Sequence, residues 1–171
     1  MLAAPLTDRL QVWRVALLAV PLWLGACSTT VTSPTPPGLP APVASRLSLE
    51  QANDVTVYAI SLVGTPYRYG GNTPESGFDC SGLIGHVYQM RAQVAAPRTV
   101  ALLRDWGQAV SGNAARSGDL VLFMQKGTAT HAGIYVGQGR FVHAPSSGGV
   151  VRLDSLTTGY WAKQPMLFVR P

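Results

Sequence analysis

The sequence predicts a single α+β domain in which N-terminal helices pack on an antiparallel sheet. Two observations carry this expectation. Apolar residues recur at helical spacing as far as about Trp106, and from Asp119 onward short β-branched and aromatic runs take over, punctuated by glycine-containing turns. Runs of helix followed by runs of strand build an α+β domain; a doubly wound fold would alternate the two. With 171 residues, 47% hydrophobic content and 12% charge, the chain holds one such domain once its N-terminal stretch is set aside.

That stretch has its own logic. Arg9 and Arg14 precede an apolar run from Val15 to Leu24, and the small residues Gly25 and Ala26 lead into Cys27. A basic flank, a short apolar core and small residues make a secretory signal. The run is too short and too interrupted by Pro21 for a membrane-spanning helix. Leu24-Gly25-Ala26-Cys27 also resembles a bacterial lipobox, in which the cysteine is lipidated and becomes the first mature residue. By that resemblance, residues 1–26 are a lipoprotein signal peptide and Cys27 carries the lipid. Ser28, where an aspartate would favour the inner membrane, addresses the protein to the outer membrane, facing the periplasm. Residues 27–45 are rich in Pro, Thr and Ser. Such a stretch is a stiff solvated tether of roughly 3 Å per residue in polyproline geometry. The domain then spans residues 46–171.

Within the domain the elements follow in order. Ser48 with Gln51 forms a capping box, and Leu49, Ala52, Val55, Ala59 and Leu62 line one helical face as far as Gly64. A turn-rich loop follows, with Tyr67 and Tyr69 in it. A second helix opens at Cys80, because a run of glycines ends at Asp79 and Leu83, Ile84, Val87 and Tyr88 then recur at helical spacing. A third, short helix is expected from about Thr99 to Trp106, with Gly107 as its stop. Strands are expected at Leu120 to Phe123, His131 to Val136, Arg140 to Ala144, Val150-Val151 and Leu167 to Val169.

Chemistry concentrates at Cys80. In the first turn of a helix, unpaired amides and the positive end of the dipole favour thiolate over thiol and lower the pKa. A small buried core residue is the competing reading. If Cys27 carries lipid, Cys80 is a lone thiol in an oxidising compartment with no disulfide available, which argues that its reactivity is used. The formal charge of +5 is scattered and forms no Lys/Arg run, so the sequence excludes a nucleic-acid partner.

Two histidines bear on that thiol. If Val136 faces Arg140 across a three-residue turn Gly137-Gln138-Gly139, then His131 and His143 lie on one sheet face as diagonal neighbours, about 7–8 Å apart. A two-residue turn would place them on opposite faces. A thiol attacking an amide needs a base, and the base needs a third group to fix its tautomer. His131 suits the first role and His143 the second; the alternative is that each is a polar residue at a strand end. His86 lies about 600° of helical rotation from Cys80 and points elsewhere. A metal held by Cys80, His131 and His143 would lack a second cysteine or a carboxylate at ligand spacing, so no metal is expected.

Six motifs in order, Gly64-Thr65-Pro66-Tyr67-Arg68-Tyr69-Gly70-Gly71, Phe78-Asp79-Cys80-Ser81-Gly82-Leu83, Pro97-Arg98-Thr99, Gly118 to Phe123, His131 to Gly137 and Phe141 to Ala144, resemble the NlpC family of bacterial cell-wall cysteine peptidases. The likeness runs from about Leu49 to the C-terminus. It implies a papain-like fold and hydrolysis of peptide bonds in peptidoglycan stems or cross-links, without a cofactor. Carried over, Cys80 is the nucleophile, His131 the general base and His143 the polar third member. Tyr67 matches a tyrosine pointing into the site near the oxyanion, and Asp79 and Ser81 match positions that contact substrate, although Asp79 also suits a helix N-cap. Arg98 and Asp119 match structural positions. A one-residue insertion between Asn72 and Ser76 is a departure that can reshape the groove. The implied partners are peptidoglycan and, through Cys27, outer-membrane lipid, with room for a regulatory protease or adaptor; the domain is expected to act as a monomer. Two other functions stay open: amide or acyl transfer through the same Cys/His pair, and a catalytically silent cell-wall-binding lipoprotein.

Overall fold

The computed structural model describes residues 44–147 and 149–171. The expected signal peptide, the lipidated Cys27 and nearly all of the tether lie outside them. Among the described residues no helix is long and apolar enough to cross a membrane. The two ends of the domain are clasped together: the Arg46 amide and the Ser45 hydroxyl each donate to the Pro171 carbonyl at 2.8 Å.

Helix α1 (Leu49–Ser61) starts as its sequence requires. Ser48 accepts from the Gln51 amide and the Gln51 side chain accepts from the Ser48 amide, so both halves of the capping box close. Ala52, Val55, Ala59 and Leu62 are buried, but Leu49 is 68% exposed and the buried stripe instead takes in Thr56. Thr56 is tolerated there because its hydroxyl donates to the Ala52 carbonyl one turn back. A tight two-stranded hairpin, β1 (Asn72–Thr73) and β2 (Gly77–Phe78), follows, locked by hydrogen bonds between Thr73 and Ser76. Helix α2 (Cys80–Ala92) buries Leu83, Ile84, Val87 and Tyr88 completely against α1 and the sheet. It ends at Gln93 in the left-handed conformation, φ 57°.

The third helix is shorter than expected. α3 (Val100–Leu103) is a single turn capped by Thr99, after which the chain turns to bring Trp106 edge-on against Tyr88. Leu102, an apolar residue within the expected helix, is 59% exposed.

Six strands form one antiparallel sheet: β3 (Gln108–Val110), β4 (Leu120–Gln125), β5 (Thr128–Gly137), β6 (Arg140–His143), β7 (Arg152–Ser155) and β8 (Met166–Arg170), ordered β3-β8-β4-β5-β6-β7. The first of these carries no strong sequence signal. The strand expected at Val150-Val151 is displaced: Val150 makes only an isolated bridge to Pro66, and the paired segment begins two residues later. One face of the sheet packs on the helices through Leu120, Leu122, Ala132, Ile134 and Val142. The other carries a smaller cluster of Val121, Phe123, Phe141 and Leu156.

A buried ion pair ties the last strand to the entry of β4. Arg170 donates to Asp119 at 2.9 Å through Nε and 2.8 Å through Nη2, with the two side chains only 10% and 2% exposed. Asp119 therefore holds the structural role that the resemblance implies. Replacing Asp119 with alanine strands the guanidinium and is expected to cost about 3–5 kcal/mol of stability, measured by urea denaturation.

Candidate active site

Asp79 ends the turn in extended conformation and caps α2, its Oδ1 accepting from the Gly82 amide at 2.6 Å. Cys80 is consequently the first residue of the helix and is half-buried. Asp79 also accepts from the Gly70 amide at 2.9 Å and from Arg98 at 3.3 Å. Ser81 is buried, and its hydroxyl donates to the Arg98 carbonyl at 2.8 Å. Asp79 and Ser81 thus knit three segments around the thiol, with Arg98, which sequence reasoning left without chemistry, on the wall of the same cavity. That cavity, about 510 Å³, also has Tyr67, Cys80 and His131 in its lining, whereas residues of the Asn72 to Ser76 hairpin are not among them.

The thiol's electrostatics differ from the expectation of a lowered pKa. Burial pushes the Cys80 thiol up and the neighbouring Asp79 carboxylate adds to it, outweighing the backbone amides of Ser81, Cys80 and Ala132, which favour the thiolate. Desolvation exceeds the helix terminus here. Cys80 rests as a thiol. Burial likewise raises Tyr67, with the negative charge that Cys80 takes on when it ionises and that of Asp79 behind it, so its hydroxyl stays protonated and can donate.

The histidines meet, by a route the sequence did not show. The β5–β6 turn has two residues, Gln138 (φ 52°) and Gly139 (φ 67°), both in the left-handed region that such a hairpin requires. Gly137, not Val136, faces Arg140. That turn alone would have put His131 and His143 on opposite faces, but the register shifts between Tyr135 and Gly137, so Ile134 faces Val142 and Tyr135 faces Phe141. A bulge restores the parity. His131 Nε2 and His143 Nδ1 then lie 2.8 Å apart. Gly133 makes room: a Cβ there would fall 2.6 Å from the Phe141 ring and 3.1 Å from the His143 Cβ.

The relay continues to a residue the sequence reading missed. His143, fully buried, places Nε2 at 3.0 Å from Asp154 Oδ2 on β7. The same oxygen accepts from Trp161 Nε1 at 3.1 Å, and Oδ1 accepts from Arg152 at 3.2 Å. Trp161 also stacks on His131, ring centroids 5.0 Å apart at 21°. Asp154 lies beyond the strand expected at Val150-Val151, and only the displacement of that strand to Arg152–Ser155 brings its carboxylate beside His143. His86 lies away from the site, with Nε2 at 2.9 Å from the Tyr58 hydroxyl.

The hydrogen bonds dictate the protons. Burial works to raise Asp154, but the hydrogen bonds from His143 and Trp161 and the charges of His143 and Arg152 overcome it and hold the carboxyl below its usual range. Asp154 is a carboxylate and can only accept, so His143 carries its proton on Nε2. Its Nδ1 must then accept from His131 Nε2–H. That leaves His131 Nδ1 as a bare lone pair. Burial lowers His143, partly opposed by Asp154, and burial with the adjacent His143 lowers His131 to about 3. Both rings are neutral at neutral pH. Because their facing nitrogens bond to each other, they do not converge on a common ion.

A stability effect follows from that depression. Between pH of about 6.5 and about 3 the unfolded chain takes up a proton that native His131 refuses, so the unfolded state binds more protons and stability is lost as the pH falls through that window. Denaturation at pH 7 and pH 5 is expected to show wild type losing about 2 kcal/mol more than His131→Gln over that interval.

Helices leading an antiparallel sheet, with a helix-terminal cysteine beside a two-histidine relay on the strands, define an α+β fold of papain-like type. The chain belongs to the NlpC/P60 family, whose model matches residues 64–170. Among its relatives are the murein DD-endopeptidase MepH of Escherichia coli K12, 36% identical over 70% of this chain and 46% of that protein, and the murein DD-endopeptidase MepS/murein LD-carboxypeptidase of the same strain, 40% identical over 59% and 53%. The chain thus spans about half the length of these relatives. RipD from Mycobacterium tuberculosis, a non-catalytic domain of this family adapted to peptidoglycan binding, superposes with a TM-score of 0.59 at 26% identity, over 72% of this chain and 98% of that one.

Proposed function

We propose that this protein is a cysteine endopeptidase of peptidoglycan. The observation that carries the proposal is the relay from Asp154 through His143 to His131, which leaves a proton acceptor on the wall of the cavity that holds Cys80. As Sγ attacks the carbonyl carbon of the substrate, its proton passes to His131 Nδ1. The oxyanion accepts from the Cys80 backbone N–H, one of the unpaired amides of the first helical turn, and Tyr67 supplies a second donor. The tetrahedral adduct collapses as His131 returns the proton to the departing amine, leaving a thioester on Cys80. Water then adds through the same imidazole, releasing the acid and restoring the thiol.

The names of the relatives, MepH and MepS among them, support peptidoglycan as substrate. The lipobox likeness at Cys27 supports an outer-membrane lipoprotein facing the periplasm, with residues 27–45 as tether and residues 46–171 as the hydrolase. A silent binding domain such as RipD would have no use for an intact thiol and relay.

Product analysis tests this. Purified peptidoglycan incubated with the protein should lose cross-linked muropeptide dimers to monomers if cross-links are cut, or yield shortened stems if the cut lies within a stem; products carrying a new amine would mark a transferase. Muropeptide profiles identical with wild type and Cys80→Ala would reject the hydrolase.

A further inference from the structure

A second and larger cavity, about 780 Å³, adjoins the first. The two share Thr130, His131 and Ser146, but only the smaller one contains Cys80. Thiol and acyl carbon belong to the smaller cavity, while the proton donor to the departing amine stands on the border of both. The amine-side half of a substrate must leave across His131, into the larger cavity. Its volume suits a ligand of several residues and exceeds what a single released amino acid would fill.

Its chemistry is selective. Phe123, Tyr160 and Trp161 supply apolar surface, and Gln125 and Gln164 supply amide partners. Arg152 and Asp154 are the charged residues in the lining. Asp154 is spent, its oxygens already accepting from His143, Trp161 and Arg152. Arg152 gives Asp154 one nitrogen and keeps 51% of its side chain exposed. Its remaining N–H donors have no partner among the described residues, and a guanidinium fork matches a carboxylate.

We propose that this cavity is the leaving-side subsite, that its occupant is a peptide with a free carboxylate near the amine being released, and that Arg152 reads that carboxylate. This rests on the hydrolase reading for its direction of cleavage. It favours bonds whose amine side continues as an acidic peptide, as in a cross-link, over removal of one terminal amino acid.

Binding tests it apart from turnover. The probes are two synthetic stem tetrapeptides, one with a free and one with an amidated carboxylate beside the side-chain amine of the third residue. They are titrated into the Cys80→Ala protein, with the Trp161 indole N–H followed by NMR. The free acid is expected to bind about tenfold tighter than the amide, the preference one charge-assisted contact confers. Adding Arg152→Gln should abolish that preference while leaving the amide's affinity unchanged, and Arg152→Lys should retain part of it. Equal affinity for both probes, or an equal loss for both in Arg152→Gln, overturns the proposal and makes Arg152 only a support for Asp154. Carboxylate-dependent binding with no cleavage of murein by wild type would sustain the subsite and discard the hydrolase. Cleavage with binding indifferent to the carboxylate would do the reverse.

Discussion

Cys80→Ala is expected to reduce muropeptide cleavage to background, a fall of at least about 10⁴ in kcat, with the fold intact by circular dichroism. The size of the effect follows from the resting state of the site. Burial and Asp79 push the Cys80 thiol up and favour its protonated form, so attack is coupled to proton transfer onto His131. His131→Ala is therefore expected to approach the same loss, and the double replacement to cost little more than either alone, because the two act as one unit. Rates of steady-state cleavage of a purified dimeric muropeptide measure all three. Appreciable cleavage by the Cys80→Ala protein would remove the thiol from the mechanism.

Asp154→Ala is expected to lower kcat by about 10²–10⁴ with little change in KM, comparable to placing the wrong tautomer in a Ser-His-Asp triad. A carboxylate forces His143 to protonate Nε2. Without that acceptor, as in an alanine variant, nothing holds the proton on Nε2, and His143 can carry it on Nδ1. His131 Nε2 must then accept, and its proton moves to Nδ1, the nitrogen needed as base. A reversed relay is a blocked one. The alkylation rate of Cys80 by iodoacetamide reads the same effect without substrate and should fall in parallel at neutral pH. If Asp154→Ala remains within threefold of wild type in both measurements, the tautomer argument fails and the contact of Asp154 with Trp161 is merely structural.

How far the residues foretold this site depends on the range of the interaction. Ser48 with Gln51 and Asp79 before Cys80 are local signals, since a cap and its amides lie three residues apart, and both closed as read. Buried runs such as Leu120 to Phe123 and Leu83 to Tyr88 were equally legible, because periodicity reports which face is covered. The errors fall where tertiary contact decides. Leu49 fits the apolar stripe of α1 but lies at its solvent edge. The third helix stops after one turn, leaving Leu102 exposed and Trp106 free to meet Tyr88. The hairpin reached the expected convergence of His131 and His143 by an unexpected route, a two-residue turn compensated by a bulge.

By itself, the sequence determined the order of helices and strands, the position of Cys80 at a helix start and the candidacy of His131 and His143, since each depends on neighbours a few positions away. Only the tertiary structure decided the rest. The pairing of β6 with β7 brought Asp154 to His143, and the packing of Trp161 on His131 closed the relay. Burial reversed the expected direction of the cysteine's pKa, because desolvation is set by everything that surrounds a group, and no local pattern records it.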